Sequence, residues 1–151
     1  MSAAAFFDLD RTLLPESSSP IFARYLGAEG LGVGADVPGQ DLALGFYNRF
    51  GETWLNMQVT KQLVRTAKGW PVDAVERAAR AAAPELADLV PAFAHQLIEE
   101  LRAAGTKLVI ASTSPTVLVG PLAEHLGFDH VIGSVWAHED GVFTGVTVGP
   151  F

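Results

Sequence analysis

The amino-acid sequence predicts an α/β protein: a parallel sheet with a block of helices inserted after the first strand. Three observations predict it. Residues 3–9 and 107–111 are short apolar runs, too short for helices and suited to buried parallel strands. Stretches with helical spacing separate the apolar runs, and strands alternating with helices call for a parallel sheet. The segment between the first two strands is too long for a simple crossover, so it reads as a helical insert over one edge of the sheet.

The elements follow in order. The first strand, residues 3–9, runs into Asp8 and Asp10. Ser17, Ser18 and Ser19 before Pro20 start a helix, because proline suits a first turn. Ile21, Phe22, Tyr25 and Leu26 form its apolar face, and Gly27 is expected to end it. Residues 30–39 read as a loop. Helices are expected over 41–50, 52–67 and 72–83, the second with Leu55, Val59, Leu63 and Val64 on one stripe. Another spans 86–104 and is closed by Gly105. A second strand covers 107–111, a helix covers 115–126 and is closed by Gly127, and a third strand starts at 131–133. Residues 135–138 and 142–148 flank Glu139-Asp140-Gly141, a hairpin turn by its Asp-Gly. Residues 1–14 and 86–151 would form the core, and residues 15–85 a helical cap.

A chain of 151 residues suits one domain, and 49% apolar against 18% charged residues supplies a packed core. The net charge is −7 and the ten Lys and Arg are scattered, which argues against a nucleic-acid partner. There is no cysteine, so disulfides and thiolate metal sites are excluded. No uncharged run reaches the ~20 residues of a membrane span. The short apolar N-terminus lacks a basic lead. A soluble, cytoplasmic protein without a membrane partner is therefore expected, its oligomeric state left open.

The chemistry concentrates in Phe6-Phe7-Asp8-Leu9-Asp10-Arg11-Thr12-Leu13-Leu14. Two carboxylates stand one residue apart at the carboxyl end of a strand, where ligand crevices of open α/β sheets lie. A continuing strand would aim both the same way, whereas a tight turn after Leu9 would separate their roles. Taken alone, the pair also fits capping or surface acids.

The whole stretch resembles the first motif of the haloacid dehalogenase-like phosphatases, Asp-x-Asp-x-Thr after an apolar strand. Leu108-Val109-Ile110-Ala111-Ser112 is similar to their second motif, a buried strand delivering a serine. Asp140-Gly141-Val142-Phe143-Thr144-Gly145 resembles the hairpin of the phosphoserine-phosphatase-like branch, subclass IB. The likeness covers essentially the whole chain. It implies a Rossmann-like sheet with an inserted helical cap and a magnesium-dependent hydrolase of small phosphorylated metabolites. By this resemblance Asp8 is the nucleophile that forms an aspartyl-phosphate, and Asp10 is the general acid and then base. Thr12, Ser112 and Thr113 would serve the turn and the phosphoryl oxygens. Mg2+ would be held by Asp8 and the Asp10 main-chain carbonyl.

The family completes its site with a lysine and a Gly-Asp-x-x-x-Asp stretch. Here no Lys or Arg follows Lys107, and Glu124, Asp129, Glu139 and Asp140 stand in no such context. A core incomplete at the C-terminus, a fragment inactive or nearly so alone, and an unpaired sheet edge that favours self-association are expected. Phosphoserine phosphatases carry a glutamate nine positions after the nucleophile; here that position is Ser17, with Glu16 one earlier. Glu16 and Arg49 are the weak substrate-binding candidates, and phosphoserine is the alternative substrate. A receiver-like domain is a competing reading, but the Asp-x-Asp-x-Thr spacing speaks against it. A degenerate, non-catalytic binding or regulatory module is another. The glycines from Gly30 to Gly34, the four histidines and the three tryptophans read as loop and packing residues, and Arg11 as a solvated loop cation.

Overall fold

The structure, a computed structural model, describes residues 2–32 and 61–149. The expected helices over 41–50 and most of 52–67, the rest of the 30–39 loop, Arg49 and Trp54 lie outside the described residues.

Four strands form one sheet in the order β1-β2-β3-β4. They are β1 (Ala4–Phe7), β2 (Lys107–Pro115), β3 (His130–Glu139) and β4 (Val142–Val148). The first three run parallel and β4 turns back antiparallel on β3, so the α/β class holds. Phe7 pairs with Ile110, and Ile110 with Val131. Strand β2 extends beyond the expected residues, with a shift of register between Ala111 and Pro115. The two short strands expected at 131–133 and 135–138 are one continuous strand. Gly133 and Ser134 interrupt the apolar pattern there, yet the strand runs through, and a side chain at Gly133 would have no room. A Cβ at Gly133 would lie 2.6 Å from the Ser114 carbonyl oxygen, well inside van der Waals contact.

The helices are α1 (Ser19–Ala28), α2 (Val72–Asp88), α3 (Ala92–Ala103) and α4 (Thr116–Leu126). Helix α1 follows Ser18 with Pro20 in its first turn but passes through Gly27, and Gly30 takes the left-handed φ of 74°. The expected break near Ala83 is also absent: α2 continues through Pro84. Its buried face, Val75, Ala78, Ala79, Ala82, Ala83 and Leu86, keeps helical spacing across that proline. Continued burial of that face offsets the backbone bond that proline forfeits. The chain breaks instead at Leu89 and Val90, and Pro91 caps α3. Helix α4 ends as expected on Gly127, whose φ is 77°.

The alanines of α2 pack on α4, and with Leu108, Ile110, Val119 and Leu122 they make the core. Trp70 and Trp136 are buried, the latter edge-on to Phe143 at 5.4 Å. The opposite sheet face is bare at Phe6 and Ile132, which are 64% and 56% exposed. The outer edge of β4 is paired at its start. Gly69 donates to the Phe143 carbonyl, Phe143 to that of Trp70, and Val72 to that of Gly141. Strand β1 has no outer partner among the described residues. No helix among them is long and apolar enough to cross a membrane.

Candidate active site at the carboxyl end of the sheet

Strand β1 stops at Phe7, and Asp8 is the first residue beyond it, exposed to solvent. The chain then enters a wide turn, Leu9–Leu13, in which Leu13 N–H donates to the Asp8 carbonyl and Leu14 N–H to that of Leu9. Inside it Asp10 is extended (φ −69°, ψ 130°) and Arg11 is left-handed (φ 60°). Leu9, Leu13 and Leu14, 0%, 2% and 1% exposed, pin the turn to the core. The turn, not strand alternation, therefore sets the relation between the two acids.

Each carboxylate has specific partners. The Thr12 hydroxyl donates to Asp8 Oδ2 at 3.1 Å, while the Asp8 carboxylate stays open to solvent. Asp10 Oδ1 accepts the Ser18 backbone N–H at 2.7 Å, at the start of α1. Asp10 Oδ2 accepts the Ser114 hydroxyl at 3.4 Å. The two acids thus differ in setting: Asp8 faces outward, and Asp10 is half-buried between two elements.

Strand β2 supplies the serines. The pairing of Phe7 with Ile110 puts Asp8 beside Ala111 and brings Ser112 to the same end of the sheet. Ser112 Oγ accepts the Ser114 N–H at 3.1 Å, which leaves its own proton to donate elsewhere. Thr113 is exposed next to it. Helix α4 begins directly afterwards, with no side chain capping its N-terminus. Its first N–H groups and the positive end of its dipole therefore favour an anion nearby. Glu16 is exposed between the turn and α1.

The structure thus gathers Asp8, Asp10, Thr12 and the Ser112–Ser114 loop at one end of the sheet. Sequence reading missed Ser18 as a donor to Asp10, Ser114 as a second donor, and the demand for glycine at 133. Ser114 carried a signal in retrospect: it stands two residues beyond Ser112 and two before the first residue of α4.

Among the described residues no cluster of three or more His, Asp or Glu is placed to hold a metal. The donors that are present, the Asp8 carboxylate and the Asp10 main-chain carbonyl, are hard oxygens of the kind magnesium takes. They fit it in kind as a partial site.

The sequence profile of the haloacid dehalogenase-like hydrolases matches residues 5–151. The chain belongs to this family. Among its relatives is the "inhibition of morphological differentiation protein" of Streptomyces azureus, 33% identical over 145 residues. That match covers 94% of this chain and 52% of the relative. A Mycobacterium tuberculosis protein named "probable phosphatase" is 31% identical over 144 residues, covering 94% and 50%. A solved phosphoserine phosphatase, described as a phospho-aspartyl intermediate analogue, superposes with a TM-score of 0.60. It is 22% identical, with 98% of this chain and 63% of that one covered. At that identity the likeness speaks for the fold. The chain spans about half the length of these two relatives.

Proposed function

We propose that this chain carries the nucleophile and the proton-transfer group of a phosphomonoester hydrolase that works through an aspartyl-phosphate on Asp8. The observation that supports it most is the contrast between the two carboxylates. Asp8 is open to an incoming phosphate, whereas Asp10 is held on both oxygens two residues away. Family membership and the relative named as a phosphatase agree with it.

In this reading an Asp8 oxygen attacks phosphorus as the bond to the ester oxygen breaks, and Asp10 passes its proton to the departing oxygen. Water then attacks the same phosphorus, gives its proton to Asp10, and frees Asp8 and inorganic phosphate. Thr12 orients the Asp8 carboxylate. Ser112, the Thr113 backbone and the start of α4 hold phosphoryl oxygens. Magnesium, when bound at Asp8 and the Asp10 carbonyl, neutralises charge between the nucleophile and the phosphate. The substrate class is a small phosphomonoester, and the absence of cysteine fits a reducing cytoplasm. Phosphoserine stays the narrower alternative, with Glu16 and Arg49 as its weak candidate readers. The cap of this reading falls within residues 15–85, of which the α2 part packs on α4 in the core. No Lys or Arg follows Lys107 to bind the phosphate, so the chain alone is expected to turn over slowly or not at all.

The test is phosphate release from simple phosphate esters by the full-length gene product with magnesium, and a trap for a phosphoryl group on Asp8. Asp8→Asn should lower turnover about a thousandfold or more, and a chelator should abolish it. Unchanged activity in Asp8→Asn would sink the proposal.

A further inference from the structure

We infer that Ser114 is a positioning residue for proton transfer by Asp10, and that Oδ2 of Asp10 is the oxygen that carries the proton. This rests on the phosphatase reading above. The two partners of Asp10 differ in a way that decides the matter. Oδ1 is bound by the Ser18 backbone N–H at 2.7 Å. An amide N–H can only donate, so Oδ1 must remain an acceptor in both protonation states. Oδ2 faces the Ser114 hydroxyl at 3.4 Å. A hydroxyl both donates and accepts. Ser114 therefore bonds Oδ2 as a carboxylate and, by rotating its own proton away, accommodates Oδ2–H. One oxygen is locked and the other has a reversible partner.

The placement of Ser114 is also built. Its N–H is tied to Ser112 Oγ at 3.1 Å, so the serine expected to meet the phosphate and the serine on Asp10 are held to each other at the end of β2. The carbonyl side of that stretch lies against Gly133 of β3. A Cβ at Gly133 would stand 2.6 Å from the Ser114 oxygen and 3.2 Å from that of Ser112. The bare backbone of β3 lets the stretch lie low enough for Ser114 to reach Asp10.

In the chemical step the proton on Oδ2 moves to the ester oxygen as the phosphorus–oxygen bond breaks. It is regained from water in the second step, so the cycle balances. An alkoxide needs that proton to leave, whereas nitrophenolate leaves without it. The experiment therefore compares kcat/KM for an alkyl phosphate and for p-nitrophenyl phosphate. It uses the full-length gene product with magnesium, as parent and as Ser114→Ala. This parameter reports the steps through phosphorylation of Asp8. Ser114→Ala should lower the alkyl value about tenfold and the nitrophenyl value about twofold or less. If Ser114→Ala folds poorly, the shape-matched pair Ser114→Thr and Ser114→Val carries the same comparison, with threonine retaining the alkyl activity and valine losing it. An equal loss on both esters, or no loss on either, would overturn the positioning role and leave the phosphatase reading standing. No hydrolysis of either ester by the parent would overturn both.

Discussion

Two turns in this chain each hold a non-glycine residue in the left-handed region, Arg11 at φ 60° after β1 and Asp140 at φ 51° between β3 and β4. They arrive there for different reasons. Asp140 is followed by Gly141 at φ 78°, and two left-handed residues in succession make the hairpin turn that suits strand twist. Aspartate tolerates the region and glycine prefers it. Arginine has no such preference, and the left-handed conformation costs roughly 1–2 kcal/mol. Three buried leucines and the two backbone bonds that close the turn stand on both sides of Arg11 and hold the turn in shape. The hairpin is written in its own two residues. The turn that carries Asp8 and Asp10 is imposed by packing, and such imposed strain gathers where function needs a set geometry.

The largest expected effect tests that difference directly. Leu13→Ala should destabilise the chain by about 3 kcal/mol in chemical denaturation, as a fully buried leucine does. Val142→Ala beside the hairpin turn, where the side chain is 37% exposed, should cost under about 1 kcal/mol. Comparable losses would erase the contrast.

A smaller pair of substitutions sharpens it. Gly141→Ala should cost about 1 kcal/mol, because the hairpin depends on its own φ. Arg11→Gly should stay within about 1 kcal/mol of the parent, since glycine sheds the left-handed penalty while the leucines still hold the turn. A loss as large as that of Leu13→Ala would show that Arg11's own contacts hold it.

The smallest effect lies at the opposite end of the sheet. The Asp129 carboxylate accepts the Leu108 backbone N–H at 2.8 Å, and that bond, aided by Lys107, holds its pKa below the ordinary value. A carboxyl depressed in the folded state stabilises above its unfolded pKa, near ~4, and loses that contribution as pH falls through the folded value. Asp129→Asn should therefore flatten the fall of Tm on the acid side of about pH 5 and leave the parent's pH dependence above it unchanged. An unchanged slope would place the acid sensitivity elsewhere.

Much of the frame was legible because it is local. The hairpin, the start of α1 at Ser18 and the end of α4 at Gly127 follow from residues within a turn of each other. Strand β2 followed from an apolar run. The break expected between residues 83 and 86 is absent, because the buried face continues across Pro84. The alanines at 78–83 are the face that packs on α4, which only the position of that neighbouring helix reveals. At the site, Asp8, Asp10, Thr12 and Ser112 were legible as a pattern. The partners of Asp10 were not, since Ser18 N–H and Ser114 Oγ reach it only through the three-dimensional path of the turn.

The pairing of residues 69–72 with the start of β4 carries a kinetic consequence. The Asp-Gly hairpin closes over a few residues and belongs among events of roughly microseconds. Its outer bonds must be made to residues 69–72, about half the chain away, and closing so long a loop is slow. Strand β4 therefore forms early with one side unsatisfied, and that side stays sticky toward other chains until the segment ahead of α2 arrives.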